Sequence, residues 1–210
     1  WREEHKQDVR NWIGFTQNQE ELNEQVGVTD TWLVLAKQVS ENDNITTERF
    51  WLYGTTTKQF AVILQFIVRG QGGQLTLMPG LYVQAELVFF PSILPLRAIV
   101  KRQVTAQAIP AVHSLNDWME VAQTETVNNS LLPVRGDRPY LVSNLKTVFH
   151  YNQWWLQDSA MNLLQLRNKQ QSIWKLLAVS GGVPLNMALI GREDSYEAVG
   201  LWQNGEYKAL

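Results

Sequence analysis

The sequence contains no cysteine. That absence removes disulfides, thiol catalysis and every cysteine-based metal site. Histidine is scarce as well: His5, His113 and His150 are the three. They fall in an expected helix, a connector and a strand, without the paired spacing of a zinc helix. A histidine-only metal site would need three distant segments to converge. No G-x-S-x-G elbow and no Walker A motif occur. Gly70-Gln71-Gly72-Gly73 lacks the Lys-Ser/Thr pair and the helix that phosphate cradling needs, and reads as a hairpin turn. Carboxylate neighbours such as Glu193-Asp194 lie beside a turn, with nothing to fix the separation a glycosidase pair requires. The reading is therefore a protein that is not an enzyme and holds no cofactor or metal in this chain.

Charge is sparse too. Charged residues are 18% of the 210, with a formal net charge of −2, where an average domain carries about 25%. Residues 1–105 hold 10 Lys/Arg and 11 Asp/Glu, and residues 106–210 hold 8 and 9. So even a distribution gives no field that would draw nucleic acid or an anionic membrane over a distance. No apolar run approaches the roughly 20 residues of a membrane span, and no signal peptide is visible. A cytoplasmic location and no membrane partner are the corresponding expectations. The first residue is Trp1, inside an expected helix, so a longer parent protein is expected.

Apolar residues are plentiful, at 45%, with 9 tryptophans. The stretch Trp32–Arg102 organises them. Thr31–Glu41, Ile45–Tyr53, Phe60–Arg69, Tyr82–Phe90 and Leu96–Val104 read as five strands, rich in β-branched and aromatic residues. Asn42-Asp43-Asn44, Gly54, Gly70–Gly73, Pro79-Gly80 and Pro91–Pro95 punctuate them. A meander or small barrel follows. The third run is apolar at nearly every position, which predicts a central strand covered on both faces.

Residues 1–27 are expected to be a helical segment, with Trp1, Val9, Trp12 and Ile13 on one stripe packed on the sheet and a short second helix reaching Gln25. Residues 106–137 read as a linker with a helix. Ser114 and Asp117 form its capping box, and Leu115, Trp118, Met119 and Ala122 make its apolar face, fraying near Asn128-Asn129. Residues 138–210 read as a second β unit of about five short strands. They include Leu145–Leu156, Met161–Arg167, Ile173–Val179, Leu185–Ile190 and a type I′ hairpin at Asn204-Gly205. The fold class is mainly β with a few helices: two small antiparallel barrel- or sandwich-like units, 28–105 and 138–210, joined by a helix. No residue-level repeat links them.

Two candidate surfaces emerge. Trp154 and Trp155 are neighbours on a strand and must point to opposite faces, one into the core and one outward. An outward tryptophan is a natural interface anchor, so Trp154 and Trp155, with Trp202 near the hairpin, form a candidate protein-contact patch. Arg49, Arg97, Lys101 and Arg102, with Trp51, Tyr53 and Phe89, could instead make a basic, aromatic surface for single-stranded nucleic acid. Their simpler role is to block sheet-to-sheet pairing at edges, or to pair Arg97 with Glu41 or Glu86.

Trp32-Leu-Val-Leu-Ala36, Val39-Ser-Glu41, Arg49 with Trp51-Leu52 and Gly54, and Phe60–Phe66 resemble the C-terminal region of bacterial SWIM zinc-finger family proteins. Pro79-Gly80, Ala85–Phe89, Pro91, Pro95–Ala98 and Val100-Lys101 continue the likeness, and Trp154-Trp155-Leu156, Leu177–Gly182 and Pro184-Leu185 extend it more loosely. The resemblance implies a zinc finger upstream whose ligands this chain lacks. It also implies an assembly or adaptor role beside AAA+ ATPase and von Willebrand A-type partners. It carries over no catalytic residue.

Overall fold

A computed structural model describes residues 3–12, 22, 24–42, 44–69, 73, 75–105, 117–132 and 136–210. The chain is mainly β and divides into two compact units, Trp1–Pro110 and Ala111–Leu210.

In the first unit, α1 (Glu3–Trp12) precedes β1 (Val28–Asn42), β2 (Ile45–Gly54), β3 (Phe60–Val68), β4 (Tyr82–Phe89) and β5 (Arg97–Thr105). The strands close into a barrel in the order β1-β2-β3-β5-β4. Every neighbouring pair is antiparallel except β3–β5. Closure is possible because β1 is long and irregular between Val34 and Ala36. Its first half pairs with β4 and most of its length with β2. Such an irregularity bends a strand and increases its twist. Alternate residues fill the interior: Trp32, Val34, Phe50, Leu52, Ala61, Ile63, Val83, Ala85, Leu87 and Ala98. Trp32 is fully buried, and its Nε1 donates to the Ala85 carbonyl at 3.1 Å.

The two ends of this barrel are closed differently. At one end the β3–β4 link turns at Gly80, whose φ of 90° suits glycine, and delivers Leu75 and Leu77 into the interior. Gln65 anchors the link by accepting from the Leu75 N–H at 2.7 Å and donating to Glu48 at 3.0 Å. At the other end the β2–β3 loop folds onto Asp30. This carboxylate is 5% exposed. It accepts from the N–H of Thr31 at 2.6 Å, of Thr56 at 3.1 Å and of Thr57 at 2.7 Å, and from Thr57 Oγ1 at 2.6 Å. A Cβ on Gly54 would lie 2.6 Å from Asp30 Oδ2, so glycine is what lets the loop close over the carboxylate.

In the second unit, α2 (Trp118–Leu131) precedes β6 (Arg138–His150), β7 (Gln153–Gln157), β8 (Leu163–Leu166), α3 (Gln170–Ser180), β9 (Leu185–Arg192), β10 (Ser195–Gln203) and β11 (Glu206–Ala209). β9 pairs with both β6 and β10, β10 with β8, β8 with β7, and β7 with β6. Five strands therefore form a ring, β6-β7-β8-β10-β9, and β11 hangs on β10. Taken in chain order, the first, second, third, fifth and fourth strands succeed one another, as in the first barrel. The third–fifth pairing is again the parallel one. The first strand is again irregular, between Val142 and Leu145, and the fourth–fifth ladder shifts in both units. The repeat lies in the topology, not in the residues.

Asn168 completes the short parallel junction like an extra strand residue. Its side chain donates to the Ala198 carbonyl at 2.8 Å and accepts from the Ala198 N–H at 2.7 Å. The core joins Val142, Leu145, Leu156, Leu164, Met187, Leu189 and Leu201 to Ile173 and Leu176 of α3 and Val121 of α2.

Several expectations need correction. Ile173–Val179 is helical: Ile173, Leu176 and Ser180 are buried at spacings of three and four, and Gly181, at φ 58°, caps the helix in the left-handed region. Leu145–Leu156 is not one strand, because Tyr151 and Asn152, both at positive φ, turn it into the β6–β7 hairpin. In α2 the N-cap is Asp117 and its capping-box partner is Glu120. The buried face is Val121 and Glu125, Met119 is 54% exposed, and the helix continues through Asn128-Asn129 to Leu131. On α1, Val9 is exposed, and Asp8 accepts from the Ile93 N–H at 2.9 Å; Trp1, Ile13 and the Trp12 side chain of the expected stripe lie outside the described residues. β3 is covered on both faces over its first half, where outward Val62 is 7% exposed, but on its inner face only toward its end, with Phe66 and Val68 exposed outside. Most of the second helix expected before Gly27, and Ser114 and Leu115, lie outside the described residues. The type I′ turn is present, with Asn204 at φ 53° and Gly205 at φ 83°.

Candidate functional site

Among the described residues, the most exposed aromatic cluster is on the second barrel, at the tip of the β6–β7 hairpin. Phe149 and Trp154 are register partners, so their side chains share a face, with ring centroids 4.8 Å apart. Trp174 of α3 also meets Trp154, at 6.1 Å and edge-on. Trp154 also packs on the barrel core. Its ring is thus half-buried and in contact with two rings that water reaches: Phe149 is 57% exposed and Trp174 56%. Tyr151, at the hairpin turn, is more exposed still and lies 4.2 Å from the His150 ring. Aromatic edges and faces held at fixed spacing lose little entropy when a partner covers them, which is the property of an interface anchor.

The other two predicted tryptophans lie apart from this cluster. Trp155 faces outward, is half-buried, and donates from Nε1 to the His150 carbonyl at 3.1 Å. That bond braces the hairpin from outside. Trp202 meets Tyr207 across the β10–β11 hairpin at 4.8 Å. Sequence reasoning names Trp154 but not Phe149 or Trp174; Trp174 is missed because Ile173–Val179 has the composition of a strand.

The four basic residues divide into two pairs. Arg49 on β2 and Arg97 at the start of β5 both point out of the barrel. Arg49 aligns with Leu64, and Arg97 pairs with Val62, the next outward residue along β3. The Arg49 guanidinium is 6.0 Å from the Trp51 ring and that of Arg97 is 4.3 Å from Phe90. Lys101 and Arg102 lie elsewhere, against β4, with Arg102 in register with Glu86. Lys101 Nζ donates to the Gln25 carbonyl at 2.8 Å and pairs with Glu86 at 3.4 Å, so it fastens the chain entering β1. The Gly27 N–H, at 3.1 Å, and then Lys101 hold the Glu86 carboxyl below its ordinary range. Glu86 therefore takes Lys101, not Arg97. The expected aromatic companions are not a surface either. Trp51 and Tyr53 are each 2% exposed, and Phe89 packs on the barrel interior. The ring that does stand out on this face is Phe66.

No group of three or more His, Asp or Glu that could hold a metal ion is found among the described residues. Nor is any helix among them long and apolar enough to cross a membrane. The strongest upward shift of an acid belongs to the Tyr196 phenol. Burial pushes it up first, and the Glu125 carboxylate adds to this. Tyr196 donates to the Glu193 carbonyl and meets Trp118 edge-on at 4.9 Å, so its place is structural. No family model, no curated protein and no solved structure matches the chain.

Proposed function

We propose that this chain is a non-catalytic binding module of a larger, cytoplasmic, bacterial SWIM zinc-finger-like protein. In this reading its second barrel holds a protein partner, of the AAA+ ATPase or von Willebrand A type, through Phe149, Trp154 and Trp174. The observation that carries the reading is the Trp154 cluster: one ring anchored in a core and in contact with two rings more than half in water. Pull-down with candidate ATPase and von Willebrand A-type proteins tests it. Phe149→Ala/Trp174→Ala removes exposed rings and leaves the core intact. Recovery is expected to fall at least about ten-fold, or roughly 1.4 kcal/mol. Equal recovery with wild type and the double variant sinks the patch.

A second reading has its own support. Five-stranded Greek-key barrels bind single strands on their outer strand faces, and Arg49, Arg97 and exposed Phe66 share that face of the first barrel. Anisotropy of a labelled single-stranded oligonucleotide at low salt is then expected to rise on titration. The affinity should fall as salt increases and fall again in Arg49→Ala. A flat titration removes this reading.

A further inference from the structure

The first barrel is closed, but not along its whole height. β5 meets β3 only at Val62–Arg97 and Ile63–Ala98. Beyond that point, from Leu64 to Val68, no strand of the described residues lies on the far edge of β3, which pairs with β2 alone. The polar groups on that edge can be assigned. The Val62 N–H donates toward β5, to the Leu96 carbonyl at 2.7 Å. Backbone direction alternates along a strand, so Phe66 and Val68, with the Leu64 carbonyl, point to the same open side. Leu64, Phe66 and Val68 also share the outer face. Phe66 is 58% exposed and Val68 48%, and Ile45, the register partner of Val68, is 47% exposed.

Open edges usually carry a charge or a proline that discourages pairing. β11, the free edge of the second unit, does so with exposed Glu206 and Lys208. β3 reads FAVILQFIV and has neither.

We infer that this edge pairs with a second copy of the chain, β3 against β3 in antiparallel fashion about a two-fold axis at Phe66. The register is self-complementary. Phe66 meets Phe66 of the second copy, and Leu64 meets its Val68. All three residues present backbone groups of the right parity. The rows running outward across β2 continue as Thr47–Phe66 and Ile45–Val68, and each Arg49 lies in the row of its own Leu64. No like charges face each other across the axis, and the pairing stops where β5 begins. An isologous contact of this kind closes on itself at two chains. This inference does not depend on the partner or the nucleic-acid reading above.

Sedimentation velocity of the full chain over a concentration series is the test. Wild type is expected to show a concentration-dependent dimer. Phe66→Lys places like charges directly opposite on the axis and should raise the dimer dissociation constant at least about ten-fold. Phe66→Glu should do the same. An equimolar mixture of the two variants should recover the dimer, because opposite charges then meet. Loss of fold in either variant cannot mimic that rescue. A wild type that stays monomeric at every concentration overturns the inference. So does a dimer that persists in Phe66→Lys, or a mixture that stays monomeric.

Discussion

Asp30→Ala is expected to destabilise the first barrel by about 3 kcal/mol, measured by chemical denaturation of the full chain. The carboxylate is nearly inaccessible and takes four hydrogen bonds, three from backbone N–H groups and one from Thr57 Oγ1. Hydrogen bonds to a charged acceptor contribute roughly 1.5–3 kcal/mol each in favourable cases, and a buried donor left without a partner costs about 1–3 kcal/mol. The Thr56 and Thr57 N–H groups would lose theirs together, so the total reflects a group effect and not a sum. No cation is paired with Asp30 among the described ion pairs. The backbone itself neutralises the charge. Burial pushes the Asp30 pKa up, but the bonds from Thr57, Thr56 and Thr31 outweigh it and hold the group below its ordinary 3.8. A group whose folded pKa is depressed contributes stability above its unfolded pKa and loses it as pH falls toward the folded value. Wild type is therefore expected to lose stability progressively below about pH 4. Asp30→Asn should be less stable than wild type at pH 7, with a shallower fall between pH 5 and pH 3. Parallel stability–pH curves for the two would contradict the assignment.

Gly191→Ala is expected to cost about 3 kcal/mol or more and to disrupt closure of the second ring. Gly191 stands where three strands meet, opposite Arg138 of β6 and Tyr196 of β10. A Cβ there would lie 2.5 Å from Tyr196 Cδ1 and 2.8 Å from its Cα, and would strike the Ser195 carbonyl oxygen. Two of those three obstacles are backbone, which cannot rotate aside. Truncating Tyr196 would clear only the ring carbon, so Gly191→Ala/Tyr196→Ala should be no more stable than Gly191→Ala. Thermal melts followed by circular dichroism decide this. A Gly191→Ala protein melting within about 2 °C of wild type would refute the close packing at this junction.

The first barrel was almost fully legible in the sequence. Its strands alternate or run apolar, and Asn42, Gly54, Gly80 and Pro91 punctuate them, so all five fall within a few residues of the observed bounds. The second barrel was harder because its two decisive turns hide in rich β-like composition. Tyr151 adopts a positive φ that tyrosine rarely takes, and nothing but Asn152 signals the turn. Ile173-Trp174 is β-like in propensity, yet packing on the barrel core outweighs it. The faint clue was Gly181-Gly182 placed as a helix stop. The aromatic patch was lost with that helix: Trp154 could be named from strand geometry, but Trp174 joins it only through α3. The Asp30 anchor was unreadable, since its ligands arrive from 26 and 27 residues away. Lys101 and Arg102 looked like a binding surface because a list of charges does not reveal that Glu86 stands across from them.

The link between the third and fourth strands differs in kind between the barrels: an extended segment carrying Leu75 and Leu77 in one, and helix α3 in the other. Only the delivery of greasy side chains to the mouth of the ring is held in common. That link is thus the tolerant joint of this architecture: segments of different length and conformation occupy it under one strand order. In the second unit the helical link also carries Trp174, so the segment that fills the ring with Ile173 and Leu176 presents a surface ring as well.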